Sequence, residues 1–168
     1  ALANRKAQEL VRIGVARACA AQPVHKQPHP CRPAALVIGG GVAGMTSALA
    51  IADCGYAVYL VERSPVLGGN LASLFYVAEG YDPQRLLRDL VNRVLANRNV
   101  TVHTRTEVAA HAGHIGDFRA ELRTSHADGS VEEIEIQNGV TIVATGGRET
   151  RELPLLDLPG VITQSELE

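Results

Sequence analysis

Three glycines stand at the spacing of a phosphate-binding turn, in the pattern Gly39-x-Gly41-x-x-Gly44. Gly39 permits a tight turn, Gly41 lets the backbone approach a pyrophosphate, and Gly44 lets a helix pack closely against a strand. The helix that follows begins at Val42 and Ala43, where free N–H groups and a partial positive charge favour phosphate. A glycine-rich turn without a ligand can have the same spacing, so the hexamer alone leaves both interpretations open.

An acidic residue follows the glycine turn at the interval that dinucleotide-binding folds use. Glu62 comes about 20 residues after the turn, at the predicted end of a second strand, where a carboxylate accepts hydrogen bonds from ribose hydroxyls. A solvated strand end is the alternative interpretation. Arg63 suggests a 2′-phosphate partner, but Glu62 would repel that phosphate, so NADP is disfavoured. The pattern therefore predicts a site for NAD or FAD.

A second glycine pair, Gly68-Gly69, follows Glu62 and is succeeded by Asn70. The stretch from Gly39 to Gly69 resembles the extended FAD-binding fingerprint of the two-dinucleotide-binding flavoproteins, the FAD-dependent pyridine nucleotide-disulfide oxidoreductase superfamily. The resemblance implies that the backbone at the glycine pair and Asn70 passes close to the flavin side of the cofactor. A plain NAD-binding domain has no reason for this pair, whereas a simple turn of the chain would also explain it.

Two later segments resemble the same superfamily. Residues 107–137 resemble its β-meander, which implies that backbone groups around Glu107 and Val108 meet the adenine. An apolar strand then runs into a turn that resembles the superfamily's Ala-Thr-Gly turn near the cofactor. For Glu107 and Val108, the alternative interpretation is an ordinary strand without a role at the cofactor. The residues of the turn are Ala144, Thr145 and Gly146.

Longer phrases resemble one branch of that superfamily, the A subunit of heterodisulfide reductase and its relatives in anaerobic electron-transfer complexes. The resemblance implies a FAD that passes electrons among a nicotinamide, iron–sulfur clusters and a thiol or quinone partner. It also implies that other subunits or domains of such a complex, including iron–sulfur proteins, are the partners. The phrases are ALVIGGGVAGMTSALAIADCGYAVYLVERSPVLGGN, EGYDPQRLLRDLV, HIGDFRAEL, and VATGGRE followed by VITQSELE.

The cysteines depart from that family's pattern. Residues 70–80 contain no cysteine, where disulfide reductases of the superfamily carry a Cys-x4-Cys pair, so dithiol chemistry at the flavin is not supported. The chain also has no closely spaced cysteines for an iron–sulfur cluster. His25-x3-His29-x-Cys31 has no evident fourth ligand and is interpreted as solvated linker. We therefore expect no metal site, name no catalytic side chain, and expect Cys54 to be a small buried residue.

The elements that must position these residues follow from hydrophobic periodicity. Apolar runs predict buried parallel strands at 35–38, 57–62 and 100–104. Helices are predicted over 42–54, and from Asp82-Pro83 to Asn99. The meander and a buried strand at 140–144 complete the pattern. The sequence thus predicts an α/β fold, a Rossmann-like parallel sheet with an inserted antiparallel β-meander, the three-layer ββα arrangement of FAD/NAD(P)-binding domains.

An additional helix and a proline-rich linker precede this fold. Residues 4–20 have helical periodicity, and residues 21–33 contain four prolines without periodicity. We therefore expect an N-terminal helix and linker over 1–33 and a FAD-binding domain over 34–168. Because the chain begins with Ala1, and because the resemblance implies further segments after the Ala-Thr-Gly turn, we expect the first FAD-binding part of a larger protein. NAD(P) would then be bound outside this chain.

The length, composition and net charge of the chain limit the classes of protein to which it can belong. With 168 residues, 46% of them hydrophobic and 20% charged, the chain is long enough for one domain with its own core. A net charge of −2 predicts no nucleic-acid partner, and no apolar run reaches the roughly 20 residues that insert across a membrane. Three scattered cysteines indicate a reducing compartment, so we expect a cytoplasmic protein.

Three functions stay open from the sequence. The first is a FAD-binding module of a flavin-dependent oxidoreductase, which resembles the A subunit of heterodisulfide reductase and is too short to turn over alone. The second is an NAD-dependent dehydrogenase domain, which explains the first glycine turn and Glu62 but not the second glycine pair. The third is a non-catalytic docking domain of a multisubunit electron-transfer complex, which would suit the N-terminal helix and linker.

Overall fold

The computed structural model describes residues 2–22, 29–78, 80–147, 158, 160–163 and 166. Its helices are α1 (Leu2–Ala20), α2 (Val42–Asp53) and α3 (Pro83–Ala96), with a short 3-10 turn at Gly69–Ser73. Its strands are β1 (Ala34–Ile38), β2 (Ala57–Val61), β3 (Val100–His103), β4 (Thr106–His114), β5 (Asp117–Ser125), β6 (Val131–Asn138) and β7 (Val140–Val143).

The strands form two sheets of different type. Four are parallel in the order β3-β2-β1-β7, and three are antiparallel in the order β4-β5-β6. β1 lies between two neighbours, with Ala35 opposite Val58 on one side and Val140 on the other. Its sequence, AALVI, is apolar throughout because both faces of the strand are covered. The prediction of a Rossmann-like parallel sheet with an inserted meander is confirmed.

Side-chain alternation along β1 supplies two separate cores. Val37 packs with Met45 of α2 in a cluster that also includes residues of α3. Leu36, one position earlier, packs with Leu122 of the meander. Both β1 side chains are fully buried. The layers are therefore helices, parallel sheet and antiparallel sheet, which is the predicted three-layer arrangement.

The start of α3 follows its sequence signals, but its end does not. Asp82 caps the helix by accepting the N–H of Arg85 at 3.0 Å, and Pro83 occupies the first turn. The predicted end at Asn99 is wrong, because Asn97 already adopts extended backbone and the helix stops at Ala96. Asn99 instead donates from its side chain to the carbonyl oxygen of Ala52 at 3.0 Å.

One further expectation, for Cys54, is wrong, and others lie outside the described residues. Cys54 is exposed, so the expectation of a buried thiol is wrong; the residue lies just past the last turn of α2. The described side chains of α1 are exposed along the whole helix. Part of the predicted linker, including His25, and most of the chain after Gly147 lie outside the described residues. The division into 1–33 and 34–168 therefore stays a prediction.

Candidate functional site

A cleft of about 470 Å³ opens at the carboxyl ends of the parallel strands. This is the edge at which open α/β sheets bind their ligands. The cleft is lined from the ends of β1, β2 and β7, the start of α2, the 3-10 turn and the start of β4. Every predicted site residue except Gly44 lines it: Gly39, Gly41, Val42, Ala43, Glu62, Arg63, Gly68, Gly69, Asn70, Glu107, Val108, Ala144, Thr145 and Gly146.

The three glycines of the first turn are constrained differently. Gly39 has φ +112°, and a Cβ there would overlap the carbonyl oxygen of Ala144. A Cβ at Gly44 would overlap the carbonyl oxygen of Gly39, so Gly44 supports the turn from behind instead of lining the cleft. Apart from Gly41 itself and its two chain neighbours, no described residue has a heavy atom within 4 Å of a Cβ built on Gly41. The space in front of Gly41 is therefore open to a ligand.

The N-terminus of α2 faces the same open space. Gly41 is the N-cap residue, and within the described part of the chain no side chain caps the first turn. Val42 and Ala43, the first two helical residues, line the cleft. Because first-turn N–H groups have no partner inside their own helix, this end of α2 suits an anionic group.

Glu62 lies directly after β2 and is held by the backbone around it. Its Oε2 accepts the N–H of Gly40 at 2.6 Å, and its Oε1 accepts the N–H of Ser64 at 2.8 Å. The residue is only 8% exposed, so the alternative of a solvated strand end is wrong. Arg63, beside it, is exposed at the cleft.

The charge of Glu62 follows from opposing effects on its pKa. Burial raises the pKa, but the hydrogen bonds from Ser64 and Gly40, with the nearby charge of Arg63, lower it by more, and the resulting pKa lies below the ordinary value of 4.5. Glu62 is therefore a carboxylate at neutral pH. A carboxylate accepts about four hydrogen bonds, so acceptor capacity is left for a ligand in the cleft.

The second glycine pair packs against the first glycine turn. Gly68 and Gly69 both have positive φ, +134° and +52°. The N–H of Gly68 donates to the carbonyl oxygen of Gly40 at 2.9 Å. A Cβ on Gly69 would lie 3.1 Å from the Cα of Gly41, so a side chain would crowd the contact. The pair thus does more than turn the chain, because it brings Asn70 to the cleft.

The meander and the end of β7 supply the opposite wall. Glu107 is exposed and Val108 is half-buried at the start of β4. Thr106 fixes this corner, since its Oγ1 donates to the carbonyl oxygen of Thr104 at 2.8 Å. The turn at Ala144–Gly146 is joined to β1, because the N–H of Ala144 donates to the carbonyl oxygen of Ile38 at 2.8 Å.

Sequence reasoning missed some of the lining residues. The cleft residues that it did not name are Ile38, Val61, Ser64, Leu71 and Thr106. Each lies next to a predicted site residue, so adjacency to those residues was the available signal. Thr106 is a polar residue at the start of β4, directly before Glu107, and this position marks it as a candidate lining residue.

The described residues, 2–22, 29–78, 80–147, 158, 160–163 and 166, form neither a metal-binding cluster nor a membrane-spanning helix. Across those ranges, no group of three or more His, Cys, Asp or Glu side chains is placed to hold a metal ion. No helix in the described part of the chain is long and apolar enough to cross a membrane.

The chain is similar in sequence to known proteins. The chain is 38% identical over 122 residues to a protein of Archaeoglobus profundus that is named as similar to the A subunit of heterodisulfide reductase, covering 72% of this chain and 17% of that protein. It is 36% identical over 129 residues to the A subunit of the ferredoxin:CoB-CoM heterodisulfide reductase of Methanosarcina acetivorans, covering 72% of this chain and 16% of that protein. The chain spans about a sixth of the length of these relatives.

A solved structure shares the fold, and a family model covers the cleft. L-proline dehydrogenase from P. horikoshii superposes with a TM-score of 0.57 at 23% identity, over 74% of this chain and 25% of that one, and this likeness shows the fold alone. The model for FAD dependent oxidoreductases matches residues 35–147, which include every cleft-lining residue. The chain belongs to the family of FAD dependent oxidoreductases.

Proposed function

We propose that the cleft binds FAD along its length. In this arrangement Glu62 accepts hydrogen bonds from the adenosine ribose, and the first glycine turn with the start of α2 holds the pyrophosphate. Glu107 and Val108 lie at the adenine, and Arg63 borders the ribose. The flavin side lies against Gly68, Gly69 and Asn70, and the turn at Ala144, Thr145 and Gly146 completes the wall.

Three observations support the fit of FAD to this chain. The space in front of Gly41 is open, the first turn of α2 has no side-chain cap among the described residues, and the Glu62 carboxylate has acceptor capacity left. The single observation that carries the proposal is that these features and the second glycine pair line one cleft. FAD supplies electron and hydride transfer at its flavin ring, and the chain's own residues bind and orient it.

The wider role is proposed from the relatives. Because the matching proteins are named for the A subunits of heterodisulfide reductases, we propose that this chain is the FAD-binding part of a larger redox enzyme. Electrons would pass through its FAD to iron–sulfur partners in a cytoplasmic complex. NAD(P) would bind in a part of the parent protein outside this chain.

The test is a comparison of two dinucleotides on the purified chain. FAD and NADH are titrated separately, and the chain is then desalted and its absorbance recorded between about 300 and 550 nm, where these chromophores absorb. Flavin bands that stay with the protein support the proposal. Tighter binding of NADH than of FAD would favour the NAD-dependent alternative, and binding of neither would contradict the proposal for this chain.

A further inference from the structure

One side chain of α3 ties down the 3-10 turn at Gly69–Ser73. The Nε2 of Gln84 donates to the carbonyl oxygens of Leu74 at 2.8 Å and Leu71 at 3.0 Å, and a third, that of Ala72, lies 3.5 Å away. Only the nitrogen of a carboxamide can donate to carbonyl oxygens, so the partners fix the orientation of this amide.

The turn itself contributes one buried side chain. Leu71 is its one buried residue, whereas its other members are exposed. Leu87 of α3 also contacts the segment, since a Cβ on Gly68 would lie 3.0 Å from the Cδ1 of Leu87. The hydrogen bonds of Gln84 join the backbone of the turn to α3 beside this apolar contact.

The same turn forms one wall of the cleft. Gly69, Asn70 and Leu71 line it, and this set is called the flavin-side wall below. On its inner side the wall is joined to the first glycine turn through the Gly68 N–H. On its outer side it is joined to α3 through Gln84. Gln84 itself is not among the residues that line the cleft.

We propose that Gln84 is a positioning residue for the flavin-side wall of the FAD cleft. It acts through the backbone of the 3-10 turn and does not contact the cofactor. The inference rests on the proposed function, because it assigns the wall to the flavin half of FAD. It predicts that loss of the Gln84 donor weakens binding of the flavin half much more than binding of the adenylate half.

The main variant is Gln84→Glu in the full 168-residue chain. The introduced carboxylate keeps the shape of the side chain but turns a donor toward carbonyl oxygens into an acceptor. An acidic residue in the first turn of a helix is favourable for α3 itself, so the helix should persist. Losing the two shorter hydrogen bonds, each of ordinary strength, predicts a rise of about tenfold or more in the Kd for FAD at about pH 8.

The pH profile separates positioning from general damage. Protonation of the introduced carboxyl restores one O–H donor, so FAD affinity should recover in part as the pH falls toward about 4.5. The charged groups around this position among the described residues are Asp82, Arg85 and Arg88 at the same end of α3, and the 3-10 turn carries none. They are present in wild type as well, so the ratio of Kd values at each pH removes their contribution. Gln84→Met, which has no donor at any pH, should show the loss without the recovery.

Asn92→Asp is the matched control, because it makes the same change from amide to carboxylate at an exposed position of α3. ADP is titrated beside FAD, and amide hydrogen exchange of residues 68–74 is followed without ligand. We expect faster exchange in both Gln84 variants, weaker FAD binding, and a Kd for ADP within about twofold of wild type. Unchanged exchange, unchanged FAD binding, or equal losses for FAD and ADP would overturn the role of Gln84. A wild-type chain that binds ADP but not FAD would overturn the proposed function and this inference together.

Discussion

Replacing Gly41 by alanine separates ligand binding from folding at the first glycine turn. In the free chain the new methyl group meets no heavy atom of a described residue within 4 Å beyond its two chain neighbours, and φ is −76°, which alanine adopts readily. Losing glycine at a helix N-cap costs about 1 kcal/mol, and the reduced entropy of the unfolded chain offsets up to about 1 kcal/mol of that. The free energy of unfolding should stay within about 1 kcal/mol of wild type.

The same methyl group would stand where we place the pyrophosphate. Forcing one extra methyl group into a packed contact costs about 1–3 kcal/mol. Since each 1.4 kcal/mol corresponds to about tenfold in Kd, the expected loss of FAD affinity is about 5-fold to 150-fold. ADP should lose affinity by a similar factor, because it carries the same pyrophosphate.

Gly44→Ala supplies the contrast. Its Cβ would overlap the carbonyl oxygen of Gly39, so this variant should lose stability instead of a specific binding contact, by about 1–3 kcal/mol or more. Urea unfolding and FAD titration are measured on both variants and on wild type. Wild-type affinity in Gly41→Ala, or a collapse of its stability, would refute the assignment of the open space to the pyrophosphate.

Three further substitutions test the electrostatics and the backbone. The pKa of Glu62 is lowered in the fold, so its contribution to stability is complete above the unfolded value of 4.5 and is lost as the pH falls through the lower folded value. Glu62→Gln should therefore flatten the acid limb of a plot of urea-unfolding free energy against pH. An unchanged acid limb would count against the two hydrogen bonds. Burial lowers the pKa of His103 below 6.5, although the charge of Glu132 opposes the shift, so the stability of the fold should fall as the pH drops through 6.5. The Tm of His103→Gln should therefore fall less than that of wild type between about pH 7.5 and 5.5. An equal fall would point to another titrating group. Arg105 has φ +54°, a backbone region that costs a non-glycine residue about 1–2 kcal/mol. Arg105→Gly should therefore raise the free energy of unfolding by about 0.5–1 kcal/mol, once the greater entropy of glycine in the unfolded chain is subtracted. A lower urea midpoint would mean that the arginine side chain contributes more to stability than the strain costs.

The parts of the fold with local signals were predictable. The glycine turn marked the junction of β1 and α2 because a side chain at Gly39 or at Gly44 would clash with the backbone, while Gly41 leaves open space beside the turn. Asp82 and Pro83 marked the start of α3 because a cap and a first-turn proline act within one turn of the helix. The meander was predictable through alternation and through resemblance, and β4–β6 occupy nearly the predicted range.

The remaining features depend on contacts between distant segments. The buried environment of Glu62 arises from the N–H groups of Gly40 and Ser64, which no spacing rule specifies. Gln84 stands in the sequence as one more polar residue of an amphipathic helix, and its tie to Leu71 and Leu74 exists only after α3 has packed. The exposure of Cys54 likewise depends on where α2 ends relative to the sheet.

Gly40 is bonded to both halves of the cleft. Its N–H donates to Glu62 and its carbonyl oxygen accepts from Gly68. A ligand that fixes Glu62 therefore also restricts Gly40, and through it the segment that begins at Gly68. In the arrangement that we propose, binding of the adenylate at Glu62 would therefore remove part of the ordering entropy of the opposite end in advance. Gly40 would then couple the two ends, and the mobility of one end would depend on what occupies the other.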